Sequence, residues 1–301
     1  MKVFITGGVG YIGSAVSKYL IDNSIATEVT LYDNLNSPTH GMLLNHKYVN
    51  TKIVKGDILD SRSLKKAMTG HDAVIHLAEI SDNKNGHAQE QVNHWGTAEV
   101  CYAIEALGIK NFLYLSTTKV YPYTASDEII NTTDNTAPTS AYASSKKRGE
   151  EHVERFINKA GFNAHILRVA SVYGYAPSVS FESFLNKQIF NAQFVGRLEL
   201  FGTGFQYRSF VHIDNVVSVI AAMVSQKIAS GIYNLADKTL SVIDSIDALK
   251  DNYPDMEFIF ASHHLTLPHI RVNTSEQLTP FVSNSKELSE QIADFKNKFS
   301  F

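Results

Sequence analysis

Apolar residues in this chain fall into short runs separated by stretches of helical periodicity. Val3, Phe4 and Ile5 make a β-branched and aromatic run that reads as a buried strand; glycines end it, and a helical stretch follows from Tyr11 to about Asn23. Residues 28–32, 52–55, 73–78 and 111–115 repeat the strand signal, and residues 61–69, 89–107 and 140–160 the helical one, with Gly108 stopping the second of these helices. Residues 73–78 are apolar nearly throughout, as expected of a parallel strand covered on both faces, and His76 within them reads as a satisfied core histidine. The alternation predicts an α/β fold with a doubly wound parallel sheet, whose ligands sit at the carboxyl ends of the strands. The glycine turn at residues 7–13, Asp33, Asp57, residues 77–79 and residues 116–118 should therefore meet in one crevice.

The glycines carry the first chemical signal. Gly7, Gly10 and Gly13 permit a tight turn, close backbone approach to a pyrophosphate and close packing of helix on strand, while the helix that starts at Tyr11 and Ile12 offers free N–H groups to the anion. Gly8, Gly10 and Gly13 also satisfy the general G-x-G-x-x-G spacing. The turn follows a strand and precedes a helix, and the next apolar run ends on Asp33, twenty residues after Gly13. A carboxylate there accepts hydrogen bonds from the adenosine ribose and repels the phosphate of NADP. The reading is a Rossmann-type site for NAD. Asp57, in Gly56-Asp57-Ile58 at the end of the third strand, either faces the adenine or, with Asp60, merely begins the next helix.

Composition narrows the picture further. A chain of 301 residues can bury a sizeable core as one large or two intimate domains. A net charge of −3 without any run of Lys or Arg points away from nucleic acid. The single cysteine, Cys101, excludes an internal disulfide, argues against a Cys-built metal site, and lies in an apolar helical pattern as a core residue. With a core strand at the start, no room for a signal peptide and no apolar run of bilayer length, the expectation is a cytoplasmic protein with no membrane partner and no metal.

The second chemical signal is sharper. Ser140-Ala141-Tyr142-Ala143-Ser144-Ser145-Lys146 opens a helix, so Tyr142 and Lys146 share one face, one turn apart. A phenol with a pKa of about 10 is a poor acid–base group at neutral pH. A nearby ammonium stabilises the phenolate and lowers that pKa, and it can also hold the nicotinamide ribose hydroxyls. Alone such a pair is common on ordinary helices. After a dinucleotide site and the hydroxyl-bearing strand end Ser116-Thr117-Thr118, it reads as an acid–base set.

Together these residues resemble the extended short-chain dehydrogenase/reductase family, specifically its nucleotide-sugar epimerases and dehydratases. The matching pieces include residues 6–13, Asp33-Asn34-Leu35, Gly56-Asp57-Ile58, His76-Leu77-Ala78, Asn93 with Gly96-Thr97, Ser116-Thr117 with Val120-Tyr121, Tyr142 with Lys146, Leu167-Arg168 with Val172-Tyr173-Gly174, and Gly202-x-Gly204-x-Gln206-x-Arg208. They run in the family's order from residue 2 to about 240. The resemblance implies a tightly held NAD, contacted by Gly7, Gly10, Tyr11, Ile12, Gly13, Asp33, Asn34, Asp57, Ile58, Leu77, Ala78, Asn93, Tyr142 and Lys146. It implies Tyr142 as acid–base catalyst, Lys146 as its electrostatic partner and Thr117 as the hydroxyl that bonds the sugar. It also implies a nucleoside-diphosphate sugar as substrate, oxidised at C4 and reduced again from its other face, with Arg208 on the diphosphate. Ser171 stands where many relatives carry Asn, and can still contact sugar or diphosphate. Arg271 is either a second phosphate ligand or a surface arginine.

Departures from the family pattern are informative. The Asp-Glu pair that serves water elimination in the 4,6-dehydratases is replaced by Thr118 and Lys119, which disfavours a dehydratase. The expected activity is therefore a C4 epimerase; the alternatives are a 4-ketoreductase using external NADPH or NADH, and a sensor that binds the dinucleotide without catalysis. The expected organisation is a nucleotide domain at residues 1–170, to which 212–236 return, and a substrate lobe from 171–211 and 237–301. The long helices at 89–107 and 140–160 resemble those that the family pairs into a homodimer interface.

Overall fold

The computed structural model describes residues 1–36, 41–45, 49–81, 85–123, 128–262, 264–265, 267, 269–283 and 286–299. Ser37 and Pro38, expected in the loop after Asp33, lie outside the described residues, as do 124–127. In chain order the elements are β1 (Lys2–Thr6), α1 (Tyr11–Asp22), β2 (Glu28–Asp33), α2 (Met42–Asn45), β3 (Thr51–Lys55), α3 (Ser61–Met68), β4 (Ala73–His76), α4 (Gly86–Gln89), a π-helical stretch (Glu90–Gly96), α5 (Thr97–Leu107), β5 (Asn111–Thr117), a 3-10 turn (Thr118–Val120) and α6 (Ala141–Ile157). There follow β6 (Asn163–Val169), β7 (Ser171–Tyr173), α7 (Phe184–Phe194), β8 (Arg197–Phe201), β9 (Tyr207–His212), α8 (Ile213–Val224), β10 (Gly231–Leu235), β11 (Lys238–Ser241), α9 (Val242–Lys250), β12 (Glu257–Ala261) and α10 (Leu288–Lys296).

Seven strands form one parallel sheet in the order β10-β6-β5-β4-β1-β2-β3. The alternation of side chains along each strand explains the two layers of helix. Val3, Ile5, Leu31, Ile75, Leu113 and Leu167 face one side with Val16 and Leu20 of α1 and Val216 and Ile220 of α8. Phe4, Val74, Phe112 and Ile166 face the other, against Leu64 of α3, Ile104 of α5 and Val153 and Phe156 of α6. Both faces are covered, so these strands read as unbroken apolar runs. Residues after 212 rejoin this sheet through α8 and β10, while Tyr173, Leu185, Ile189, Leu198, Phe210, Ile246, Ile292 and Phe295 build a separate core beside two small sheets, β11-β9-β7 and β12-β8. Strand order reverses direction between β1 and β4, and the crevice outside their carboxyl ends is where such a sheet binds ligands.

Two local expectations are refined. The helix expected over 89–107 starts at Gly86, where Asn85 accepts the Ala88 N–H at 3.0 Å, and winds through a π-turn before Gly108 ends it at φ +68°. Asn93 lies buried within that π-turn. Cys101 is buried, and burial pushes its thiol up to about 12. Among the described residues no helix is long and apolar enough to cross a membrane.

Candidate active site

The turn between β1 and α1 depends on the missing side chains of its glycines. Gly7 has φ +65°, and a Cβ there would stand 2.7 Å from the backbone of Ala78; on Gly13 it would stand 2.6 Å from the Gly7 carbonyl. α1 begins at Gly10 without a side-chain cap, which leaves its positive end to an anion. The first turn is held in place by the Tyr11 hydroxyl, which donates to the Gly174 carbonyl at 2.7 Å, and by Ile12 against the core.

Asp33 ends β2 with one oxygen accepting the Val9 N–H at 3.1 Å and the other the Leu35 N–H at 2.9 Å. Its carboxylate is thus fixed beside the glycine turn with lone pairs in reserve for a ribose diol. Of the two residues read as possible starts of the third helix, Asp60 takes that part. Asp60 caps α3, accepting the Ser63 N–H at 3.1 Å, while Asp57 stays at the strand end, bonded by Asn34 at 3.3 Å and by the Leu59 N–H at 2.9 Å. Ile58 is buried, against Gly96. Leu77 and Ala78 close the cradle, their N–H groups donating to the Thr6 carbonyl at 3.1 Å and the Thr6 hydroxyl at 3.4 Å. Acceptors at the ribose position, a glycine-cleared surface and an uncapped helix start are the donor and acceptor set that a dinucleotide requires.

Asn93, expected among the cofactor contacts, faces protein instead. Its Oδ1 accepts the Ile80 N–H at 2.8 Å, and its Nδ2 donates to the Ile80 carbonyl at 2.9 Å and the Ser145 hydroxyl at 3.0 Å. It braces the tail of β4 against α6.

Thr117, Tyr142 and Lys146 converge at the end of β5. Ser140 starts α6 by accepting the Ala143 N–H at 3.1 Å, and the helix then buries Tyr142 and Lys146 on its inward face. The Thr117 hydroxyl bonds the Tyr142 phenol and also accepts the Lys119 N–H at 3.2 Å. Lys146 Nζ donates to the Leu115 carbonyl at 2.7 Å and lies 4.5 Å above the Tyr114 ring. The same crevice holds Glu79, to which no role attached in the sequence. Its Oε2 accepts the Tyr142 hydroxyl at 3.0 Å and stands 3.1 Å from Lys146 Nζ.

Burial, joined by that carboxylate, runs against one expectation. Tyr142 is held well above the ordinary phenol range, first by burial and then by the charge and hydrogen bond of Glu79, with the Thr117 bond pulling the other way. Burial pushes Lys146 down, but Tyr114 and Glu79 outweigh it and leave the ammonium raised and charged. The positive field that would ease ionisation of the phenol is offset by a negative oxygen touching both groups.

The lobe contributes Arg208 from β9. Its Nε is buried without a hydrogen-bond partner among the described residues, and its guanidinium sits 5.0 Å over the Phe184 ring. Burial lowers its pKa, opposed by Tyr123. A guanidinium with unfilled donors suits a diphosphate. A bridge between Arg208 and Ile270 brings Arg271 alongside, with its guanidinium 4.6 Å over the Tyr207 ring. Ser171 is half-buried on β7, in register with Phe210. Lys119 reaches to 5.3 Å from the Tyr142 ring centroid; crowding by protein lowers its pKa, Glu79 opposes, and Arg208 adds to the lowering.

A dTDP-D-glucose 4,6-dehydratase of Dictyostelium discoideum is 28% identical over 81% of this chain, which spans 60% of that protein's length. The structure superposes on a UDP-N-acetylglucosamine 4-epimerase from Methanobrevibacter ruminantium M1, in complex with UDP-N-acetylmuramic acid, with a TM-score of 0.85 at 23% identity over 99% of this chain and 97% of the other. A UDP-glucuronic acid 4-epimerase from Bacillus cereus, in complex with UDP-glucuronic acid and NAD, gives a TM-score of 0.84 at 22% identity over 100% of both chains. Residues 3–236 match the model of the NAD dependent epimerase/dehydratase family. The chain belongs to that family, whose enzymes depend on NAD.

Proposed function

We propose that this chain is an NAD-dependent epimerase that acts at C4 of a nucleoside-diphosphate sugar. One observation carries the reading: Thr117, Tyr142 and Lys146 meet at one strand end, while the two positions after Thr117 carry Thr118 and Lys119, neither of them a carboxylic acid. NAD, when bound, accepts the hydride from C4 and returns it. The residues of this chain do the rest. The glycine turn and Asp33 hold the dinucleotide, and the charge of Asp33 disfavours a ribose phosphate. Arg208 takes the diphosphate, with Arg271 beside it and Ser171 near the sugar. Thr117 and Tyr142 hold the C4 hydroxyl, Tyr142 moves its proton, and Lys146 supports the developing negative charge. Anchoring the diphosphate while leaving the sugar free to turn allows the ketone to be reduced from its opposite face.

The comparisons support an epimerase and a 4,6-dehydratase alike, since the fold is shared with both kinds of enzyme and the curated relatives are 4,6-dehydratases, so the residues after Thr117 carry the choice. Elimination of water requires an acid and a base beside the sugar, and Thr118 and Lys119 supply neither carboxyl. α5 and α6 are the proposed interface of a cytoplasmic homodimer, since Trp95 and Tyr102 are exposed beside them; light scattering in solution tests the dimer.

The deciding experiment is incubation with a panel of UDP-, dTDP-, CDP- and GDP-sugars, followed by product identification. An epimer formed without added reductant supports the proposal. A keto sugar that has lost water selects the dehydratase, stoichiometric loss of NADH or NADPH selects a 4-ketoreductase, and bound NAD with no turnover selects a sensor. Tyr142→Phe is expected to keep NAD and lose about 100- to 10,000-fold in turnover. Unimpaired turnover in that variant would sink the mechanism.

A further inference from the structure

We propose that Glu79 is the terminal base of this site, receiving through the Tyr142 phenol the proton that leaves the sugar hydroxyl; the inference rests on the reading above. A single oxygen, Oε2, touches both the phenol at 3.0 Å and the Lys146 ammonium at 3.1 Å, and the phenol is the donor. The carboxylate is held in place from behind, because the next residue, Ile80, has its N–H and its carbonyl fixed by Asn93. Tyr142 is buried, whereas the Glu79 side chain is 30% exposed and can exchange its proton with water.

Tyr142 raised above its ordinary range holds very little phenolate at neutral pH. A phenol already donating to a carboxylate needs none. As the sugar hydroxyl gives its proton to the Tyr142 oxygen, the original phenolic proton passes to Oε2, so Tyr142 carries one proton throughout. The C4 hydride passes to the nicotinamide of NAD, the sugar alcohol becomes a ketone, and Glu79 ends protonated; reduction runs the same transfers backwards. The charged and titratable groups around the relay are Lys146 from α6, Tyr114 from β5 and Lys119 from the 3-10 turn, and all three have Glu79 among the charges acting on them.

The test uses Glu79→Gln and Glu79→Asp with two readouts. The first needs no substrate: ultraviolet titration of tyrosinate, with the Tyr142→Phe trace subtracted, should show Tyr142 ionising at lower pH in Glu79→Gln than in the parent. The second is the pH dependence of turnover. At pH 7 Glu79→Gln should lose about 100-fold, and its activity should climb only in the alkaline range where Tyr142 itself ionises. The parent should instead show a limb in the acid range, and Glu79→Asp should recover part of the loss. NAD affinity, measured by fluorescence, should stay within about threefold. Parental turnover at pH 7 in Glu79→Gln, an unmoved Tyr142 titration, or tighter NAD binding with undiminished turnover would each overturn the proposal. If the parent converts no nucleotide sugar, the epimerase reading fails on its own, and the Tyr142 titration still decides whether Glu79 holds the phenolic proton.

Discussion

His76 sits in the middle of the sheet, fully buried between the hydroxyls of Thr6 and Thr97. The neighbours settle its tautomer. The Thr97 hydroxyl donates to the Asn93 carbonyl at 2.7 Å, so at 2.9 Å it accepts from Nε2–H, and Nδ1 is left to accept the Thr6 hydroxyl at 2.6 Å. The Thr6 bond requires the neutral ring, since a protonated Nδ1 cannot accept, whereas the bond to Thr97 survives protonation. Burial, and secondarily the Lys146 ammonium, push its pKa from the ordinary 6.5 down to about 3. The folded pKa lies below the unfolded one, so the unfolded chain takes the proton first. The stability this ring contributes is complete above pH 6.5 and is lost as pH falls towards 3. Each pH unit costs about 1.4 kcal/mol, so the loss reaches about 2 kcal/mol at pH 5 and about 5 kcal/mol across the whole window. His165, lowered to about 4 by burial, adds a slope of its own and must be separated. His76→Phe separates it, because it keeps a ring and cannot titrate. At pH 7.5 that variant should lose about 1–3 kcal/mol for the unpaired Thr6 hydroxyl. Between pH 6.5 and 5 its stability should fall less steeply than the parent's by about 1.4 kcal/mol per unit. Urea unfolding followed by circular dichroism at pH 7.5, 6.5, 5.5 and 5.0 measures both slopes, and parallel slopes would refute the assignment.

Two substitutions test the frame around the site. Gly13→Ala forces a Cβ to within 2.6–2.7 Å of three backbone atoms of Gly7 and Gly8; it should cost about 1–3 kcal/mol in a thermal melt and weaken NAD binding at least about tenfold. Gly10→Ala, whose Cβ meets only the Gly7 carbonyl at 3.2 Å, should be milder. Beneath Thr117, Glu150 is fully buried, paired with Arg168 through bonds of 2.8 and 2.7 Å and bonded by the Ser116 hydroxyl at 2.6 Å. Glu150→Gln leaves that guanidinium buried without its counter-charge and should cost about 3–5 kcal/mol by urea unfolding; a loss under about 1 kcal/mol would show that the pair is solvated.

What was legible in the sequence follows from range. The parallel strands were readable because burial on both faces leaves apolar runs, and the return of β10 to the sheet because Ile232, Tyr233 and Leu235 make one more such run. The Tyr142–Lys146 pair was readable because four residues is one helical turn. Asn93, which the resemblance placed among the cofactor contacts, has its amide on Ile80 and Ser145, contacts that depend on the fold and not on any local pattern. The share of Glu79 in raising Tyr142, which adds to that of burial, was invisible for a related reason: Glu79 lies 63 residues away in the chain, and no local periodicity carries a through-space charge. A signal did exist in the carboxylate that follows the apolar run of β4 at the crevice end of a central strand. Its partner could not be inferred without the sheet.

The tail of β4 is where the two halves of the site become one mechanical unit. Leu77 is bonded to the end of β1, Ala78 abuts the Gly7 turn, Glu79 touches the phenol and the ammonium of α6, and Ile80 is clamped by Asn93. Four consecutive residues thus answer to four different elements, and the backbone between them has little freedom to move one without the next. The proposed dinucleotide cradle and the proposed acid–base set therefore share this segment, although their residues lie far apart in the chain.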